Sequence, residues 1–191
     1  MPRVFALLFF GCLVSAFPAS AGAETSPTGG AVYPDPEPIV TPGAKAKLLP
    51  DGTAAAPAQA PRQVQAAIFA ANKLLDKPYK YGGGHAKVED SGYDCSGTVS
   101  YALLKAGLLK SPLDSSSFMG WGLKGAGAWI TVYTNPGHAY AIIAGLRLDT
   151  SAYGVTGTMT RRVARFGERG PRWRPGPRPV RGFQARHPLG L

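Results

Sequence analysis

Ile130-Thr131-Val132-Tyr133-Thr134-Asn135-Pro136-Gly137-His138-Ala139-Tyr140-Ala141-Ile142-Ile143-Ala144-Gly145-Leu146-Arg147-Leu148-Asp149-Thr150-Ser151 is the stretch that decides the fold. β-Branched and aromatic residues dominate it, and Asn135-Pro136-Gly137 and Ala144-Gly145 cut it into short runs. The runs predict strands over 130–134, 138–144 and 146–151. Side chains alternate along a strand, so His138, Tyr140, Ile142 and Ala144 share one face. A two-residue turn at Ala144-Gly145 pairs residue 143 with 146 and sets Tyr140 opposite Asp149 and His138 opposite Ser151. Asp149 then stands diagonally beside His138, within reach of an imidazole nitrogen. A three-residue turn would reverse the parity and take Asp149 away.

Upstream the period changes. Val64, Ile68, Ala71 and Leu75 form a helical apolar stripe after Pro61, a residue tolerated in a first helical turn. Pro78-Tyr79-Lys80-Tyr81-Gly82-Gly83-Gly84 breaks that helix and opens a glycine-rich loop. A second helix is predicted from Cys95 to Ala106, with Val99, Ala102, Leu103 and Ala106 inward and Gly107 as its stop. Ser111 to Ala128 reads as irregular. Helices first and antiparallel strands afterwards give the α+β class.

The chain has two cysteines. Cys12 lies in an apolar run, Val4 to Phe17, behind Arg3 and ahead of the small residues Ala19 to Ala23. This pattern predicts a secretory signal over residues 1–23, too short to span a bilayer. An uncleaved anchor or a lipidated Cys12 is the alternative. Residues 24–61, rich in Pro, Ala, Gly and Thr, are predicted as a flexible linker, and 62–191 as one small domain. An exported chain is then left with Cys95 alone, which is a buried bystander, an intermolecular linker or a nucleophile.

The nucleophile reading has chemistry behind it. Asp94 can cap the second helix, placing Cys95 where the positive end of the helix dipole favours thiolate. The Cys95 N–H can help hold a tetrahedral oxyanion. His138 is the candidate base, and Asp149 can orient it. His85, in the glycine loop, and His187, in a basic terminus, are the weaker candidates for that role. No paired Cys or His spacing suggests a zinc site, and no cofactor or metal is called for.

The formal net charge is +10. Nine arginines against Glu168 give +8 between Arg161 and Arg186, leaving +2 for the rest. A basic tail can attract nucleic acid, anionic lipid or acidic wall polymers, and export disfavours nucleic acid. The interleaved Phe166, Trp173 and Phe183 suggest that part of the tail returns as a closing strand, Phe183 inward and Arg181 exposed, with the remaining guanidinium groups outside.

Three stretches carry a resemblance: Pro78-Tyr79-Lys80-Tyr81-Gly82-Gly83, Tyr93-Asp94-Cys95-Ser96-Gly97-Thr98-Val99-Ser100-Tyr101-Ala102, and Gly137-His138-Ala139-Tyr140. Together they resemble the NlpC-type family of bacterial cell-wall cysteine peptidases, over most of Arg62 to Ser151. The resemblance implies a papain-like core, Cys95 as nucleophile, His138 as base and Asp149 as orienting residue. It places Tyr79, Asp94 and Ser96 in the substrate cleft, where they can contact the free amino end of a stem peptide. Asp149 departs from the histidine, asparagine or glutamine usual at its position, and the segment after Ser151 does not follow the family pattern. The implied activity is a secreted or envelope endopeptidase on peptidoglycan stem peptides, cutting the D-glutamyl–diamino acid bond, monomeric and without a membrane span. An acyltransferase and a non-catalytic envelope-binding protein remain as alternatives.

Overall fold

Three helices and nine strands make up the described part of the chain, residues 38–151, 170–175 and 178–191 of a computed structural model. The signal-like segment, the start of the proline-rich segment and the aromatic Phe166 lie outside these residues. Strands β5 (Ile130–Asn135), β6 (His138–Ile143) and β7 (Leu146–Leu148) form the antiparallel centre of a six-stranded sheet. With β4 (Leu123–Lys124), β8 (Trp173–Arg174) and β9 (Gln184–His187), the order is β4-β9-β5-β6-β7-β8. Helices α1 (Arg62–Asn72) and α2 (Cys95–Lys105) pack on it, and α3 (Ser115–Phe118) is a single turn. The α+β class holds.

The hairpin register is the one the sequence implies: Ile143 pairs with Leu146, Ile142 with Arg147 and Ala141 with Leu148. Ala144 (φ 47°) and Gly145 (φ 89°) both take left-handed backbone, the twist a two-residue turn needs between right-twisted strands. Glycine adopts it freely, while Ala144 does so against its own Cβ. The strand stops at Leu148, short of the predicted Ser151, although the Asp149 N–H still bonds the Arg172 carbonyl at 3.0 Å, in register with β8.

Parity divides the sheet. Ile130, Val132, Ala139, Ala141, Ile143 and Leu148 are buried against Val64, Ala67, Ile68 and Ala71 of α1 and Val99, Ala102 and Leu103 of α2. On the other face Tyr133 stacks on its strand partner Tyr140, with centroids 5.1 Å apart. His138 and Tyr140 lie on that second face by alternation.

Two expectations are corrected. Residues 40–57 of the predicted linker form a sheet: β1 (Val40–Thr41) parallel to β3 (Ala54–Pro57), and β2 (Lys47–Leu48) antiparallel to it. Alanines 54 to 56 are buried, and Ala54 and Ala56 join α1 in the core because side chains this small let β3 lie flat on the helix, which supplies the apolar surface the segment lacks. Asn72 anchors it, donating Nδ2–H to the Ala54 carbonyl and accepting the Ala54 N–H on Oδ1, both at 2.9 Å. The same Oδ1 accepts the Trp173 indole N–H at 2.7 Å, so one amide joins α1, β3 and β8.

The second correction concerns the arginines. Arg172 and Arg174 are buried, at 3% and 2% exposure, and Arg172 donates to the Leu75 and Pro171 carbonyls. Arg178 is committed to Asp149. These three do not form the outward wall-binding layer expected of them. A guanidinium can neutralise orphan carbonyls at a seam that the short strands leave open, and that is where two of them sit. Phe183 is half-buried, Arg181 is exposed and the tail returns to the domain as expected, though β9 enters the sheet between β4 and β5 rather than closing it. Arg161, Arg162, Arg165 and Arg169 lie outside the described residues. Ser111 to Ala128 also carries α3 and β4, short elements that no period signals.

Candidate active site

Asp94 fixes the start of α2. Its backbone is extended, and its Oδ1 accepts the Gly97 N–H at 2.7 Å, capping the helix. Such a cap contributes about 1 kcal/mol. The glycine loop wraps around the same carboxylate, with Gly82 N–H on Oδ2 at 3.0 Å and the Asp94 N–H on the Gly83 carbonyl at 3.3 Å. A Cβ at Gly97 would run into the Gly83 carbonyl oxygen, which is why the residue after Cys95-Ser96 has no side chain. A parallel bridge between Tyr79 and Tyr93 ties the loop's entry to the segment leading into the helix.

Cys95 is therefore the first residue of α2, half-buried and reduced. His138, the first residue of β6, lies beside it, and the interaction of imidazole with thiol shifts both groups. The Ala139 N–H also reaches the sulfur. His138 bonds Asp149 Oδ1 through Nε2 at 2.9 Å, which leaves Nδ1 for the thiol. Asp149 is fully enclosed, and its Oδ1 also accepts the Ser151 N–H at 2.8 Å. The structure thus brings Cys95, His138 and Asp149 together. Asp149 arrives there because the two-residue turn preserves the parity that puts it beside His138.

The electrostatics follow from this packing. Burial pushes the Cys95 thiol up, but the His138 hydrogen bond, the Ala139 N–H and the charge on His138 together bring it below its ordinary value. Burial alone would lower His138, yet the bonds to Asp149 and Cys95 raise it to about 9. Asp149 stays below the usual carboxylate range: burial opposes ionisation, and the His138 bond, the Ser151 N–H and the charges of His138 and Arg178 outweigh it. Each direction favours thiolate paired with imidazolium.

Several residues hold places at the site that the sequence does not assign them. Arg178 NH1 reaches Asp149 Oδ2 at 3.0 Å, from a Pro- and Gly-rich stretch that carries no periodic signal. Phe183 packs edge-on against both Tyr140 and His138, at 5.2 and 6.2 Å between centroids. His85, set aside as a base, bonds Asp94 through Nε2 at 3.0 Å and stands 3.3 Å from Ser96 Oγ. Its position beside a capping aspartate could be suspected only from the glycine loop that carries it back to α2.

The three residues expected in the cleft differ in access. Tyr79 is 39% exposed, whereas Asp94 and Ser96 are buried at 8% and 4%. Both Asp94 oxygens are engaged by Gly82, His85, Ser96 and Gly97. A substrate amino group would have to displace His85 or bind through it. Among the described residues, no three His, Cys, Asp or Glu side chains group to hold a metal ion, and no helix is long and apolar enough to cross a membrane. Comparison with protein-family models, with curated proteins and with solved structures finds no match.

Proposed function

We propose that this chain is an exported cysteine hydrolase of the NlpC type, with a papain-like core, acting on an amide bond of the peptidoglycan stem peptide. One observation carries the reading: a helix-borne Cys95 beside a strand-borne His138 that is bonded to an enclosed Asp149. The order of the three along the chain, and the Tyr93-Asp94-Cys95-Ser96-Gly97 setting, support the family. The signal-like start supports an envelope location, where a stem peptide is met. The D-glutamyl–diamino acid bond is the one the resemblance favours.

The chemistry fits the groups present. His138 holds the thiol proton, and the Cys95 sulfur attacks the amide carbon. The N–H of Cys95, at the positive end of α2, supports the oxyanion. As the tetrahedral species collapses, His138 gives its proton to the departing amine and leaves a thioester. Water, losing a proton to His138, then attacks the thioester and releases the acid and the thiol. Asp149 keeps the ring's tautomer and angle through both halves.

Mass analysis of purified wall fragments incubated with the protein tests this. Hydrolysis yields two products whose masses add up to the substrate plus one water. A transferred acyl group would move the reading to an acyltransferase, and unchanged fragments would leave an envelope-binding role.

A further inference from the structure

The geometry points to Arg178 as a positioning residue of the Cys95–His138–Asp149 site, one that fixes Asp149 through Oδ2 so that Oδ1 stays on His138. This inference rests on the proposed cysteine chemistry. Asp149 divides its oxygens: Oδ1 takes the His138 ring and the Ser151 N–H, and Oδ2 takes the Arg178 guanidinium at 3.0 Å. Arg147 Nε stands further from that oxygen, at 3.8 Å, beyond hydrogen-bond range. A buried carboxylate held at one oxygen can still pivot about its Cβ–Cγ bond; held at both, it cannot.

Arg178 is itself held. Its guanidinium lies 5.4 Å from the centre of the Tyr140 ring and 5.3 Å from that of Phe183, both within cation–π range. Tyr140 is backed by Tyr133, and Phe183 leans edge-on to Tyr140. The side chain is 15% exposed, which is low for an arginine. Arg178 NH1 also lies 3.4 Å from His138 Nε2. With Nε2–H directed at Asp149, both nitrogens carry hydrogens there. They converge on the carboxylate rather than bonding one another.

That arrangement has a sign. The charged and titratable groups facing the pair are Cys95 and Asp94 from the α2 end, Tyr133 from β5, Tyr140 from β6, Arg147 and Asp149 from β7 and its extension, and Arg178 from the C-terminal segment. Arg178 adds positive potential beside the imidazole. Removing it makes a thiolate harder to form, so the thiol should ionise at higher pH.

The test reads the rate of Cys95 alkylation by iodoacetamide against pH in the full chain, with circular dichroism confirming the fold. In Arg178→Gln the rise in rate should move up by on the order of half a pH unit. Arg178→Lys, which keeps the charge, should recover most of it. If Arg178→Gln does not fold, Phe183→Leu removes one of the rings that seat the guanidinium, and a smaller shift in the same direction is expected. A folded Arg178→Gln, or failing that a folded Phe183→Leu, that titrates as wild type does overturns the inference alone. A wild-type thiol that titrates like a free cysteine overturns it together with the proposed chemistry. The expected shift with no peptide released from wall fragments would overturn the hydrolase and uphold Arg178's role.

Discussion

Two imidazole–carboxylate pairs flank Cys95, and by distance they are nearly the same: His138 to Asp149 at 2.9 Å and His85 to Asp94 at 3.0 Å. Their other partners separate them. Besides its histidine and Ser96, Asp94 accepts the backbone N–H groups of Gly82 and Gly97. Asp149 accepts one N–H and a guanidinium, and its histidine turns the other ring nitrogen to a thiol. A carboxylate surrounded by backbone donors sets the shape of a loop and a helix start. One surrounded by an imidazole and a guanidinium sets where protons reside. Distance alone would not tell the two pairs apart.

The sharpest way to break this comparison is to remove each histidine. His138→Ala should lower turnover of a wall peptide by on the order of 10³-fold, and Cys95→Ser should do at least as much, with the fold retained in both. His85→Gln should lower turnover by less than about tenfold, because its ring serves Asp94 and not the thiol. Equal losses from the two histidine variants would make the pairs functionally equivalent.

Removing the carboxylates inverts the ranking of activity against stability. Asp149→Asn is expected to cost on the order of 10² in rate, since the ring loses its acceptor while a similar shape remains. Asp94→Ala should instead be read in the melting curve, as a loss of about 1–2 kcal/mol from the missing cap and the released loop. Denaturant titration of both variants beside their rates decides the matter. An Asp149→Asn protein that is fully active would remove Asp149 from the site.

The smallest expected effect is in the pH dependence of stability. The raised His138 contributes stability that is complete below about pH 6.5 and is lost as pH rises through about 9. The depressed Cys95 runs the other way: its contribution is present above the ordinary thiol value and is lost as pH falls through the lowered one. Between pH 6.5 and 9 the two oppose each other, because the proton leaves one partner for the other. Cys95→Ser removes the Cys95 contribution and also the part of the His138 shift that the thiol supplies, so its melting curve against pH should differ in shape from that of wild type, the His138 loss ending below about pH 9. Parallel curves would mean that no proton is shared.

Much of this was legible in the sequence, and for a physical reason. The helix stripe at Val64, Ile68 and Ala71 and the alternation around His138 are periodic, and periodicity is what a buried face imposes on a chain. The turn at Ala144-Gly145 fixed parity, and parity carried Asp149 to His138. What escaped detection is non-periodic. Ala54 and Ala56 gain their burial from α1, and Arg178 takes its place from Tyr140 and Phe183. Arg172 and Arg174 read as surface charge because the carbonyls that call for them belong to distant segments. Asp94 was legible as a cap; that His85 would find it was not, since a glycine loop can return in many ways.

The three hydrogen bonds at Asn72 have a consequence in time. Its partner Ala54 is 18 residues away and already made when Asn72 is added, whereas Trp173 follows 101 residues later. At ordinary rates of synthesis that interval is roughly 5–20 s. During it, β3 and α1 can meet by a short loop closure, but β8, β9 and Arg178 do not yet exist. A chain interrupted before Trp173 would carry Cys95, and past β6 also His138, with neither the second weld nor the guanidinium behind Asp149. Residues from Trp173 onward complete both the sheet and the candidate site, so the thiol, the imidazole and the guanidinium would come together only after those residues are made.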